Sequence, residues 1–224
     1  MARFTELQTV DSTNSWLALH ADSLKAPVFV RADEQTAGRG RLARSWFSGT
    51  PQQNLAMSVL WRFDRETPVT VPVLAALALR AALPAKQGLR IKWPNDIYFE
   101  GRKLAGILCE RIHGERESII IGIGVNVNAR EFPLEIAATA TSLAQVCTEE
   151  HDIRALWIRI CRSLTHRLRK ATALLSPQTI NEFNAHAWRY ILRPEISAVP
   201  LEFQTLLSDG RAQCKDGTIL DMAG

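Results

Sequence analysis

Long apolar runs, internal repeats, paired cysteines and a one-sided charge are all missing from this 224-residue chain, and each absence removes a class of protein. No stretch approaches the roughly 18 apolar residues a membrane span needs. Arg3, Glu6 and Asp11 interrupt any signal-like apolar segment at the start, so a soluble, cytoplasmic protein is expected. The cysteines, Cys109, Cys147, Cys161 and Cys214, are too far apart for a CxxC pair or a zinc-ribbon spacing, which points to a reduced chain. His20, His113, His151, His166 and His186 form no metal-ligand spacing either, and no metal site is read from the protein's own residues. The net charge of +4 falls short of the dense Lys/Arg load of a protein that coats nucleic acid, and an anionic ligand accounts for it as well. What is present is an ordinary globular mixture, 46% hydrophobic and 22% charged. The length fits a main domain of about 180 residues with a small appendage, since single cores seldom grow beyond about 250 residues.

Apolar spacing places the elements. Asp11 and Ser12 are candidate caps for a helix carrying Trp16, Leu17 and Leu19, and Val28-Phe29-Val30 reads as a short strand. A long stretch of loop character, Asp33 to Gln53, follows; such loops in compact domains are usually functional or disordered. Leu55 to Trp61 reads as a strand and Val69 to Leu83 as a buried helix. Strands over Leu89 to Trp93, Lys103 to Ile112 and Ser118 to Val127, with turn signals at Glu100-Gly101 and Gly114-Glu115, predict an antiparallel meander. Ile153, Leu156, Trp157, Ile160, Leu164, Leu168 and Ala171 recur at helical spacing and predict one helix from Asp152 to Leu175, with a shorter one after Pro177. Arg154, Arg159, Arg162, Arg167, Arg169 and Lys170 surround that apolar stripe as its solvated face. Near Pro194 the pattern changes to strand-like pieces, Val199 to Leu207 and Arg211 to Cys214, divided by Asp209-Gly210 and Asp216-Gly217. These are too few to stand alone: either they lean on the main domain or strands are missing. The fold class is α+β, a mixed or antiparallel sheet with packed helices.

Four segments carry candidate chemistry. In Gln35-Thr36-Ala37-Gly38-Arg39-Gly40-Arg41-Leu42-Ala43-Arg44-Ser45-Trp46, two glycines let the backbone approach a ligand while three arginines offer forked, charge-assisted bonds to phosphate or carboxylate. A solvated basic turn would read the same way. Ile91-Lys92-Trp93-Pro94-Asn95-Asp96 sets an amide and a carboxylate just after a strand, or is an ordinary β-turn. Gly101-Arg102-Lys103-Leu104-Ala105-Gly106-Ile107-Leu108 starts an apolar strand with a lysine; burial there favours pairing with an anion, and a surface lysine is the plainer alternative. Gly122-Ile123-Gly124-Val125-Asn126 ends a strand in small residues and an amide, suited to a ligand against the backbone or to simple packing.

Taken in this order, with Asp11-Ser12-Thr13-Asn14 upstream, the segments resemble the biotin protein ligases, strongly from Phe4 to Leu143 and weakly beyond. The resemblance implies a class II synthetase-like ligase domain over residues 1–190 and, over 191–224, part of an SH3-like β-barrel whose final strands would lie beyond Gly224. It leaves no room for an N-terminal DNA-binding domain before Asp11, so no DNA partner is expected. It also implies an ATP-dependent reaction: the biotin carboxylate forms biotinyl-5′-AMP, which acylates a lysine of a biotin carboxyl carrier protein, that of acetyl-CoA carboxylase first among them. ATP, biotin and Mg²⁺ are the implied small molecules, and a homodimer is compatible with the family. By matching position, Ser12, Thr13, Asn14 and Gln35 are implied to hold the biotin head group. Arg39, Gly40, Arg41, Lys103 and Gly106 are implied to contact biotin or its adenylate, with Lys103 and Arg39 in catalytic roles. Arg41, Arg44, Trp46, Asn95, Asp96 and Asn126 are implied for the nucleotide, with the Arg39–Arg41 loop mobile until ligand orders it. Ala43 stands where the family usually has Gly. Lipoate ligases and octanoyl transferases share the architecture, and a non-catalytic biotin-binding protein is the alternative from another class.

Overall fold

The computed structural model describes residues 2–41, 44–64, 66–84, 87–113, 117–191 and 196–222. Three strands, β1 (Arg3–Val10), β2 (Val28–Gln35) and β3 (Leu55–Trp61), join a meander of β4 (Leu89–Lys92), β5 (Asp96–Phe99), β6 (Arg102–Ile112) and β7 (Ser118–Val125) in one seven-stranded sheet. Its order is β1-β2-β3-β7-β6-β5-β4, with β1 and β2 parallel and every other pair antiparallel. The expected α+β class and mixed sheet are therefore present, with β1 and β5 added to the strands read from sequence. The Gly114-Glu115 turn lies outside the described residues.

Strand alternation sorts the side chains onto two faces. Phe29, Val59, Ile107, Ile121 and Ile123 join the large core formed with the helices α2 (Val71–Ala82) and α5 (Ile153–Leu168). Val28, Val30, Leu60 and Ile120, one residue out of phase, pack against Leu17 of α1 (Thr13–His20) on the opposite face. Helix α1 begins where Ser12 accepts from the Ser15 N–H at 3.5 Å, in the capping position expected, while Asp11 accepts from the Ser12 N–H at 2.6 Å.

Helix α5 stops at Leu168 instead of running on to Leu175. The backbone beyond it is tied elsewhere: Thr70 donates to the Thr172 carbonyl and the Leu175 N–H donates to the Ser208 carbonyl. Two short helices not anticipated, α3 (Leu134–Ala137) and α4 (Leu143–Cys147), precede it, and α6 (Pro177–His186) follows. The C-terminal strands are β8 (Tyr190–Ile191), β9 (Leu201–Leu206), β10 (Ala212–Cys214) and β11 (Ile219–Leu220), a four-stranded antiparallel sheet in the order β11-β10-β9-β8 that does not close among the described residues. Of the two alternatives, this unit leans on the main domain: Leu201, Phe203, Leu206, Cys214 and Leu220 belong to the same core as the large sheet. The Trp93 indole N–H donates to the Gly210 carbonyl at 2.9 Å, and Asn184 brackets β9 through Thr205 and the Leu206 N–H. The change of pattern at Pro194 lies outside the described residues. Among those described, no helix is long and apolar enough to cross a membrane.

Candidate functional site

The face that carries α1 is also hollow. Two rungs of the sheet make its floor, Ser58-Gly122-Leu108 and Ala56-Gly124-Gly106, each running across β3, β7 and β6. The glycines are needed for close approach. A Cβ on Gly122 would lie 2.3 Å from Asn14 Oδ1, one on Gly124 would lie 2.3 Å from the Trp46 indole, and one on Gly106 would press on Lys103 and Trp46 at 3.1–3.2 Å. Asn14 and Trp46 therefore lie directly on the strands, and between them opens a cavity of about 270 Å³.

Thirteen residues singled out by sequence line that cavity: Ser12, Thr13, Asn14, Gln35, Arg39, Gly40, Arg41, Arg44, Trp46, Asn95, Asp96, Lys103 and Gly106. At one end sit uncharged hydrogen-bonding groups. Gln35 Oε1 accepts from the Thr13 N–H at 2.9 Å and from its hydroxyl at 3.0 Å. The Ser58 hydroxyl, fully buried, lies 2.6 Å from both the Thr13 hydroxyl and Asn14 Oδ1. Asn14 Nδ2 donates to Glu110 at 2.6 Å, so partners on both ends fix the amide's orientation. Ser58 and Glu110 were not found by sequence; their positions across the sheet follow only from strand register.

At the other end the charges gather. Lys103 Nζ lies 2.9 Å from Asp96 Oδ1, which answers the expectation that this lysine finds an anion. Its ammonium also lies 5.7 Å from the centre of the Trp46 ring. Lys92, opposite Asp96 in the β4–β5 ladder, is held below the usual lysine range by burial; Asp96 opposes that shift, while Lys103 and Arg44 add to it. The arginine loop folds back on itself, with Gly40 N–H donating to the Arg44 carbonyl at 2.7 Å, Trp46 N–H to the Gly38 carbonyl at 2.9 Å, and a β-bridge joining Arg39 to Ser45. Arg39 donates to Glu110 at 3.0 Å, and Arg41 reaches the Met222 carbonyl at 3.0 Å and Asn95 at 3.4 Å. Leu42 and Ala43, including the Gly-to-Ala departure, lie outside the described residues.

Asn126 is the residue that the structure sets apart from the others. It does not line the cavity: its buried amide donates to the carbonyls of Thr141 at 2.9 Å and Lys103 at 3.4 Å. Its N–H also donates to the Leu104 carbonyl, so it holds the chain around Lys103. Cys109 faces the core side of β6, and burial pushes its thiol up to about 12, which leaves no thiolate near neutrality. Among the described residues, no three His, Cys, Asp or Glu side chains cluster as a metal site.

Residues 4–128 match the model of the biotin/lipoate A/B protein ligase family. The bifunctional ligase/repressor BirA of Bacillus spizizenii is 44% identical over 132 residues, covering 55% of this chain and 40% of that protein. The biotin--[acetyl-CoA-carboxylase] ligase of Mycobacterium tuberculosis is 36% identical over 156 residues, covering 63% of this chain and 54% of that one. The chain thus spans about half, or less, of the length of these relatives. In three dimensions it is similar to the biotin protein ligase of Aquifex aeolicus in complex with biotin and ATP, with a TM-score of 0.82, 26% identity and coverage of 97% of this chain and 95% of that one.

Proposed function

This chain belongs to the biotin/lipoate A/B protein ligase family, and on that footing we propose that it is an ATP-dependent biotin protein ligase that forms biotinyl-5′-AMP and transfers biotin to a lysine of a biotin carboxyl carrier protein, as the name of its mycobacterial relative suggests. One observation carries the reading: a single cavity is lined both by the hydrogen-bonding groups of Ser12, Thr13, Asn14 and Gln35, with Arg39 beside them on Glu110, and by the cations Lys103, Arg41 and Arg44. A ureido ring offers one carbonyl and two N–H groups to hydroxyls and amides. A lipoyl dithiolane or an octanoyl chain has neither, and would gain no hydrogen bonds while displacing water from this polar end, where sites of this kind discriminate against analogues lacking the bonding groups. Biotin is favoured over lipoate for that reason.

The reaction needs charge placement more than a protein nucleophile. A biotin carboxylate oxygen attacks the α-phosphorus of ATP, the bond to the β-phosphate breaks, and pyrophosphate leaves. The carrier's lysine amine then attacks the acyl carbon and AMP departs. Both steps gather negative charge on oxygen, which fixed cations stabilise without reorganising water; Lys103 and the loop arginines are the cations assigned to that role. Asp96 is the acidic residue among the described cavity-lining ones, enough for a Mg²⁺ that takes its remaining ligands from nucleotide phosphates and water. Such an ion would supply neutralisation of phosphate charge. Arg44 and Trp46 are assigned to the phosphate and the adenine, Asn95 and Asp96 to the nucleotide side, and Asn126 to support of the Lys103 strand. Residues 1–190 form the catalytic unit in this reading, and 191–224 the SH3-like one.

The test is biotin-dependent pyrophosphate release from Mg-ATP, with lipoate and octanoate as competing acids, followed by addition of a biotin carrier domain. Release with biotin alone and a mass gain of one biotinyl group on the carrier are expected. Equal release with lipoate would overturn the substrate assignment, and biotin binding without any release would make the chain a binder instead of a ligase.

A further inference from the structure

Glu110 has no task in the reaction above, yet it holds two groups that do. Pairing with Ile120 in the β6–β7 ladder fixes its backbone, and the two-residue period of the strand sends its side chain to the same face as that of Leu108, just past the head-group end of the cavity. One of its oxygens, Oε2, accepts from both sides: from Asn14 Nδ2 at 2.6 Å and from Arg39 Nη2 at 3.0 Å. The two donors differ in kind. Asn14 is 4% exposed and pressed against Gly122, so it cannot follow a moving partner. The Arg39 side chain is 48% exposed and sits on the arginine loop. A rigid group and a loop therefore meet on one carboxylate oxygen, and the bond to the loop is the charged one.

We propose that Glu110 is a positioning residue that latches the Arg39 arm of the loop to Asn14, so that loop closure and the shaping of the head-group end are one event. The link to the head group rests on the biotin reading; the latch itself does not. Without the carboxylate, Arg39 loses its charged partner and the loop loses a tie to the sheet, while Gln at this position keeps the size of the side chain. Charge-assisted hydrogen bonds are roughly twice as strong as neutral ones, so about a three- to tenfold change in loop opening is expected for Glu110→Gln.

Limited trypsin digestion reads the latch directly, because Arg39, Arg41 and Arg44 are cleavage sites within the loop. In Glu110→Gln, cleavage in the loop is expected to accelerate severalfold while cleavage elsewhere keeps its rate. In an Arg39→Gln background the same substitution should add nothing further. Unchanged loop cleavage, acceleration at every site alike, or additive effects of the two substitutions would overturn the latch. Biotin dissociation, followed by stopped-flow tryptophan fluorescence, should speed up by a similar factor; faster cleavage with unaltered biotin release would overturn the coupling. A wild-type protein that binds no biotin but shows the cleavage pattern would instead refute the proposed function and leave the latch standing.

Discussion

Gly122→Ala is the sharpest probe of how the floor of the cavity is built. Its backbone is ordinary extended strand, so alanine is compatible with the chain and the whole effect is steric. The new methyl carbon would lie 2.3 Å from Asn14 Oδ1 and 2.8 Å from its Cγ, contacts that side-chain carbons do not make. Asn14 must withdraw, and it lies in the first turn of a helix packed across β3 and β7, so it has little room to do so. Withdrawal breaks the bonds to Ser58 and to Glu110. A neutral buried bond contributes about 0.5–1.5 kcal/mol and one to a charged group about 1.5–3, giving a loss of roughly 2–4.5 kcal/mol. At about 2–4 °C per kcal/mol for a protein of this size, Tm should fall by roughly 4–18 °C. Calorimetric titration with biotin, run well below that Tm, should show affinity reduced by at least about tenfold, because the amide no longer faces the head-group end. A variant with Tm within about 2 °C of wild type and unaltered biotin affinity would mean that Asn14 does not rest on this strand, and the account of the floor would fall with it.

Three further outcomes follow from the cation end and the surrounding strands. Lys103→Ala removes the partner of Asp96 and leaves a carboxylate facing the phosphates, so single-turnover pyrophosphate release should drop by at least about 10²-fold; near-normal turnover would take Lys103 out of the chemistry. Arg41→Gly cuts the tie between the loop and the Met222 carbonyl, and biotinyl-AMP is expected to escape into solution at least several times faster, measured by filtration of the enzyme-bound intermediate; unchanged retention would mean the loop is not a lid. Tyr98 is pushed up to about 12, chiefly by burial and then by Asp96, so the fold favours the neutral phenol. That contribution is fully present below the ordinary value near 10 and is lost as pH rises toward 12, so Tm of wild type should fall faster over that window than Tm of Tyr98→Phe; coincident curves would refute it.

The motifs displayed the kinds of group in the site, and the sheet register decided which of them meet. Lys103 and the arginine loop were legible because their residue types suit a carboxylate and phosphates wherever they stand, whereas Gln35 was reached only through the family resemblance. Ser58 and Glu110 carry no such mark in the sequence; they matter because they flank Asn14, and only pairing of β3 with β7 and of β7 with β6 brings them there. Asn126 shows the converse. Its position after two cavity glycines makes it look like a ligand group, but the strand ends at Val125, alternation no longer applies, and the amide turns to the carbonyls of Thr141 and Lys103. The strands that escaped sequence reading were short or exposed for identifiable reasons. β1 is an edge strand with polar residues on most positions, stabilised by its parallel pairing with β2. β5 has four residues, too few for a period to register, yet it is the strand that carries Asp96 to Lys103. Chemistry in this site is therefore written locally, while orientation is written across the sheet. That is why a single methyl group on Gly122, within an apolar strand, is expected to disturb binding at all.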